Sequence, residues 1–322
     1  MQIGLKIATE SFGPKEVVRQ AQAAESAGFD FVEMSDHYHP WLETQGHSGF
    51  TWSMLGSMAQ ATSTIGLVTG VTCPSFRYHP AVIAQAAATV QILSDNRFTL
   101  GVGAGERLNE HVIGTEFPGV HKRQAVFREA LEIIKLLWQG GYQNYDGRFL
   151  QLEDARVFDL PDQLPLMPVA SGGGDASRIA AELGDGLFAT EPKTNIVSAY
   201  EKAGGSGPKY AEVPLAWAPD EDTAANAVLE TSKWALTGWK VMSELPNPVN
   251  FDAATTTVTV DDIKGQFACG PDAAKHLQQV QTFVDAGFDH IVLMNAGPDP
   301  DGFMDFYSRE LADPIRKMTP SS

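Results

Sequence analysis

The residues of this chain best suited to chemistry stand in one run, Ser35-Asp36-His37-Tyr38-His39-Pro40-Trp41. An imidazole moves protons near neutral pH, and an indole beside it excludes water or stacks on a flat ligand. The run follows a short apolar stretch, 29–34, that reads as a buried strand. An acid, two imidazoles and an indole therefore sit where a strand has just ended. By themselves the seven residues read equally well as a polar loop with solvated histidines.

Other polar residues gather at the ends of other apolar stretches. Glu10 follows the first stretch. The third ends in Gly70-Val71-Thr72-Cys73-Pro74, with Arg77 and His79 beyond it as loop charges or functional groups. The fourth ends in Gly101-Val102-Gly103-Ala104-Gly105-Glu106, followed by Asn109. The fifth ends in Ala170-Ser171-Gly172-Gly173-Gly174, and the sixth is followed by Thr190 and Lys193. The spacing around Gly101 lacks the third glycine of a dinucleotide fingerprint. It reads as a strand end where backbone passes close under a flat or phosphorylated ligand, or as a tight turn with none. The run from Ser171 opens a helix, and helix N–H groups suit a phosphate. Glu106 reads as a helix N-terminal carboxylate, or with Glu10 as part of a proton-handling pair. His47 and His121 read as solvated. No histidine–acid grouping has metal spacing, and neither a Gly-x-Ser-x-Gly elbow nor a Walker loop occurs, so no metal, acyl-transfer or kinase site is expected.

These residues need elements to hold them. Strands are expected at about 2–8, 29–35, 65–71, 97–103, 166–171, 186–190, 213–218 and 290–295. Helices are expected at about 14–27, 50–61, 80–94, 121–138, 174–184, 221–236, 271–286 and 301–315. The near-continuous apolar strands suit a sheet buried on both faces, and the alternation predicts an α/β fold of the closed TIM (β/α)8 barrel type. Active sites of such barrels form at the C-terminal ends of the strands, where the acids and glycine turns fall. An internal echo supports the repeat: Ala27-Gly28-Phe29-Asp30 returns as Ala286-Gly287-Phe288-Asp289, each a helix end with a capping glycine leading into a strand. Segment 237–270, with Pro246 and Pro248, breaks the alternation and is read as an insertion between the seventh and eighth βα units, at the C-terminal face. Nothing resembles an interdomain linker, so 1–322 is expected to be a single domain.

The chain has 322 residues and a net charge of −17, from 40 acids against 23 bases. That balance argues against nucleic acid or an anionic membrane as partner, and requires any anionic ligand to find local bases or helix N-termini. No apolar run approaches the roughly 20 residues of a membrane span. The N-terminus has no basic and apolar leader pattern, and the two distant cysteines, Cys73 and Cys269, match no metal spacing. A cytoplasmic setting is expected.

Three motifs together, in order, carry a family resemblance: the run 35–41, Ser75-Phe-Arg-Tyr-His-Pro-Ala-Val-Ile-Ala-Gln85, and Gly101-Val-Gly-Ala-Gly-Glu-Arg-Leu-Asn-Glu110. From about residue 3 to residue 315 the chain resembles the luciferase-like flavin and deazaflavin oxidoreductases, and among them the F420-dependent glucose-6-phosphate dehydrogenase group. The resemblance implies coenzyme F420 as hydride carrier, a small-molecule substrate and a homodimer. It implies cofactor contacts at Asp36, Gly70, Val71, Cys73, Gly105, Asn109, Ala170, Ser171, Gly172 and Gly173, and a cis bond at Gly70–Val71. Cys73 stands where threonine is expected. It further implies that His37 is the general base for a substrate hydroxyl, that Trp41 covers the reacting centre, that Glu106 assists on the cofactor side, and that Glu10 supports the histidine. His39 then becomes structural. Sugar-phosphate members hold the phosphate with a threonine and a lysine after strand six and with a lysine and an arginine after strand seven. Thr190 and Lys193 match the first pair; Ala253 stands at the lysine and Lys264 near the arginine. The expected activity is F420-dependent oxidation of a sugar 6-phosphate or a secondary alcohol. The alternatives are an FMN-dependent monooxygenase of the same superfamily and a non-catalytic deazaflavin-binding protein.

Overall fold

The computed structural model describes residues 1–321. Eight parallel strands run through it: β1 Gln2–Lys6, β2 Phe31–Met34, β3 Gly66–Thr69, β4 Phe98–Thr99, β5 Pro168–Ala170, β6 Gly186–Ala189, β7 Lys209–Ala216 and β8 His290–Asn295. Their order round the sheet is β4, β3, β2, β1, β8, β7, β6, β5. Parallel bridges from Thr99 to Leu166 and from Val102 to Val169 join the two ends. The ring is therefore closed, as the strand–helix alternation requires.

The inward and outward faces are set by the two-residue period of each strand. Ile3 and Leu5 of β1 point outward into the shell of helices. Gly4 and Lys6 point inward, and a Cβ on Gly4 would overlap the ring of Phe31. Phe31, Val68, Phe188, Tyr210 and Val292 fill the barrel with one apolar layer. The outer shell contains α1 Pro14–Ser26, α2 Thr51–Ala61, α3 Pro80–Leu93, α4 Val120–Leu137, α5 Gly174–Leu183, α6 Thr194–Lys202, α7 Glu221–Thr231, α8 Ala273–Asp285 and α9 Pro300–Phe306. Among the described residues no helix is long and apolar enough to cross a membrane.

The internal echo is structural. After α1 the chain turns at Gly28 (φ 84°), and after α8 at Gly287 (φ 99°). Phe29 N–H donates to Ala24 and Phe288 N–H to Phe283. The two units deliver β2 and β8 to either side of β1.

Several expected bounds change. The seventh strand begins at Lys209, not 213, because its inward residues Tyr210 and Glu212 alternate with outward Ala211 and Val213 and hide the apolar run. Helix α6 replaces what reads as loop, its short apolar face being only Ile196, Val197 and Tyr200. An antiparallel hairpin, Gln143–Asp146 with Gln151–Ala155, was not expected, since its polar residues form no buried face. The segment between β7 and β8 folds into short helices at Trp239–Met242, Pro248–Ala254 and Val260–Gln266, and then a two-residue strand, Ala268–Cys269, beside β7. The helix expected to run to 236 stops at Thr231 and continues as a 3-10 turn over Lys233–Thr237.

Candidate active site

The strand order brings the C-terminal ends of β1, β2, β3 and β4 side by side, and with them Glu10, His37, the 70–73 turn and Glu106. His37 lies between two carboxylates. Its Nδ1 is 2.9 Å from Glu10 Oε1, and its Nε2 is 3.0 Å from Glu106 Oε1. Trp41 meets the imidazole edge-on, with ring centroids 4.9 Å apart. Glu106 is itself held by Asn109, whose Nδ2 donates to Glu106 Oε1 over 2.7 Å. Asn109 Oδ1 accepts from the backbone N–H of Tyr38 and of His39, tying the β4 turn to the histidine run. His39 Nδ1 lies 3.0 Å from the Leu108 carbonyl and serves the loop, as its demotion to a structural residue anticipates.

Charge sets the state of the histidine. Burial pulls the His37 pKa down, but Glu10 and Glu106 outweigh it and push it up to about 10. Burial favours protonated Glu10, yet the imidazolium and Lys6 hold its carboxyl at about 2. At neutral pH His37 therefore carries its proton, beside the ionised Glu10. The stability it contributes is complete below its ordinary value of 6.5 and is lost as pH rises through about 10. The contribution of Glu10, whose value is depressed, is present above its ordinary 4.5 and is lost as pH falls through about 2.

Asp36 clamps the end of β2 to the segment after β3. Its carboxylate accepts from Thr72 Oγ1 at 2.9 Å, Arg77 Nη2 at 2.9 Å and Tyr78 OH at 3.2 Å. Arg77, for which the sequence left loop and functional readings open, is thus an internal clamp. Its backbone N–H donates to Glu110, a carboxyl that burial pushes up to about 7 against the pull of Arg77. Cys73 is buried, and burial raises its thiol well above the usual value. A Cβ on Gly105 (φ 82°) would come within 2.7 Å of the Cys73 sulfur, so that turn needs glycine twice over, for dihedral and for space.

The Gly70–Val71 bond is cis. Val71 and Ala170 are half-buried on the apolar layer of the barrel and present a non-polar floor at the mouth. Beyond that floor, Ser171 Oγ caps the turn through Gly173 and Ser177. A Cβ on Gly173 would meet nothing within 4 Å, and on Gly172 only the Trp239 ring. A flat apolar floor beside an open glycine turn at the N-terminus of α5 suits a flat ring with an anionic tail. These residues fit a deazaflavin or flavin nucleotide.

One part of the site was not legible in the sequence. Trp234, from the 3-10 turn after α7, stacks on Trp41 with centroids 4.3 Å apart and planes 11° from parallel. Phe251 meets Trp41 edge-on at 5.1 Å. Leu42, Leu108, Met242 and Leu245 complete this apolar cap. The segment is fastened over the mouth by Arg107 N–H to the Ser243 carbonyl and by Thr44 Oγ1 to the Glu230 carbonyl. The sequence placed segment 237–270 at the C-terminal face, but nothing in it marked Trp234 or Phe251 as partners of Trp41.

The residues expected to meet a phosphate follow β6 and lie in the segment after β7. Thr190 is exposed. Lys193 Nζ is 2.7 Å from Glu191, and Lys264 Nζ is 2.6 Å from Asp222 on α7. Lys264, expected as a substrate contact, is held in an ion pair with α7.

Comparison with known proteins adds to this geometry. Residues 1–290 match the family model of luciferase-like monooxygenases. The chain is 32% identical over 330 residues to an F420-dependent glucose-6-phosphate dehydrogenase of Microbacterium testaceum, covering 98% of each chain. It is 31% identical to the enzyme of that name from Mycobacterium tuberculosis, covering 99% of each. Among solved structures it superposes on an F420-dependent secondary alcohol dehydrogenase, in complex with an F420-acetone adduct, with a TM-score of 0.91 at 28% identity, covering 98% of this chain and 99% of that one.

Proposed function

The chain belongs to the luciferase-like monooxygenase family, and from that membership we propose that it is a coenzyme F420-dependent dehydrogenase that oxidises an uncharged secondary alcohol. The observation that carries the reading is His37, held between Glu10 and Glu106 beneath Trp41. F420, when held by the 70–73 turn, Asn109 and the glycine turn before α5, would supply the hydride acceptor for the carbinol carbon.

The chain's own residues do the rest. The Glu10 carboxylate lies 2.9 Å from the Nδ1 side of His37, which leaves Nε2 as the atom that takes the hydroxyl proton. A hydroxyl bound for deprotonation must replace the Glu106 contact at Nε2. Trp41, Trp234 and Phe251 exclude water from that position and offer a carbinol a largely apolar surface, whose Trp234 indole N–H is buried without a partner. Of the cations expected to meet a phosphate, Lys193 and Lys264 have carboxylate partners, and Ala253 stands at the position where the resemblance places a lysine. These features support an uncharged substrate over a sugar phosphate.

The reading is tested by mixing the protein with F420 and isopropanol without oxygen and following the deazaflavin's visible absorbance. Loss of that absorbance is expected. Purified protein that retains FMN and has no affinity for F420 would overturn the reading in favour of the monooxygenase, and tight F420 binding without turnover on a broad alcohol panel would favour a binding protein.

A pH profile follows from the geometry. Oxidation needs neutral imidazole, and two carboxylates hold the His37 proton up to about pH 10 in the free enzyme. The kcat/KM for oxidation is expected to rise across the alkaline range. Glu106→Gln removes one anionic neighbour and is expected to move the rising limb to lower pH. An unmoved limb would separate Glu106 from the titration of His37.

A further inference from the structure

Beneath the histidine the barrel holds a second buried charge cluster that the proposed chemistry does not use. Lys6 points inward from the end of β1. Its Nζ donates to Glu33 Oε1 on β2 and to Glu212 Oε1 on β7, both at 2.7 Å, and to the Gly70 carbonyl at 3.3 Å. Glu33 is fully buried, and its Oε2 has no hydrogen-bond partner. Burial pushes the Glu33 carboxyl well up, towards its neutral form. Burial alone would lower Lys6, but its carboxylate neighbours, Glu212 foremost, together raise it above its ordinary value, so it is cationic.

Fold stability gives weak reason for such a cluster, since buried ion pairs are often no better than well-packed apolar residues of the same volume. Its position is more telling. The carbonyl that Lys6 holds opens the turn running from Val71 to Cys73. The Glu33 carboxylate fills the space that a Cβ on Gly70 would need, while Gly70 N–H donates to the Met34 carbonyl at 2.9 Å. Thr72 N–H is tied to Gly101, and Gly103 N–H to Thr72. The turn is pinned from β2 and β4, and from below by a cation.

We propose that Lys6 is a positioning residue for the cofactor: its ammonium, bridging Glu33 and Glu212 under the Gly70 carbonyl, fixes the turn that backs the deazaflavin and favours the ring in its reduced, more negative form. The inference rests on the F420 reading of the site. Hydride transfer brings one negative charge to the ring, and a cation held in a low-dielectric interior favours that state over the oxidised one.

The test compares the Kd for oxidised and for reduced F420, each titrated without substrate, in the wild type and in Lys6→Met. Reduced-cofactor affinity is expected to fall at least about tenfold more than oxidised-cofactor affinity, with Lys6→Arg restoring most of the difference. An equal loss for both forms, or no loss in a folded variant, would overturn the proposal. If Lys6→Met does not fold, Lys6→Gln keeps a donor for the Gly70 carbonyl without the charge and is read in the same way. Wild-type protein that binds neither form would instead sink the F420 reading.

Discussion

Replacing His37 by alanine is expected to lower kcat for alcohol oxidation by about a hundred- to ten-thousand-fold while leaving F420 affinity within a few-fold of wild type. General-base help has that magnitude, which corresponds to about 3–5 kcal/mol of barrier. Cofactor affinity should survive because the inferred seat is built from other parts: the 70–73 turn, Asn109 and the glycine turn before α5. The substitution also leaves Glu10 and Glu106 facing one another without the imidazolium between them. Uncompensated buried charge costs stability, so His37→Gln, which keeps polar atoms between the carboxylates, should be measured beside it with the melting temperature of each. Normal turnover in a folded variant would remove His37 as the base and leave the proton to another group.

The second large effect concerns the substrate. Isopropanol or a similar secondary alcohol should be turned over, with kcat/KM for glucose 6-phosphate lower by about a hundredfold or more. A hydrogen bond to a charged group contributes about 1.5–3 kcal/mol. The proposed reading forgoes two such phosphate contacts, with Ala253 at the lysine position that the resemblance implies and Lys264, near the arginine position, paired with Asp222. At 1.4 kcal/mol per decade the loss is about two to four decades. The cap acts in the same direction, because Phe251, Met242 and Leu245 give a sugar's hydroxyls nothing to bond and Trp234 offers them a single indole donor. Steady-state kinetics on both compounds decides it. Efficient oxidation of glucose 6-phosphate would show that its phosphate is held by residues outside the expected set.

Which features were legible in the sequence follows from how local their causes are. A buried strand is a short apolar run and a helix end is a glycine at a fixed place, so β1, β2, β8 and the paired turns at Gly28 and Gly287 could be read directly. The hairpin at 143–155 and helix α6 could not, since neither buries a face wide enough to leave a periodic signal. Within the site, His37, Trp41, Glu106 and Glu10 were identified by type and by their place after strands. Asp36 and Arg77 were visible as residues, but their mutual clamp was not, because it joins the ends of different strands.

The opening run thus had its chemistry from the sequence alone: a histidine with an indole at a strand end, in a barrel whose strand ends gather at one face. Only the tertiary structure decided what surrounds it. Glu10 and Glu106 come from the ends of β1 and β4, on either side of the β2 histidine, and contact distances of 2.9 and 3.0 Å turn a neutral base into a proton-holding one. Trp234 is nearly two hundred residues from Trp41 in the chain and reaches it only because the segment after β7 folds back over the mouth. Spacing along a chain records local geometry; the sign of a charge's neighbours and the polarity of a cap depend on which distant segments the closed ring brings together.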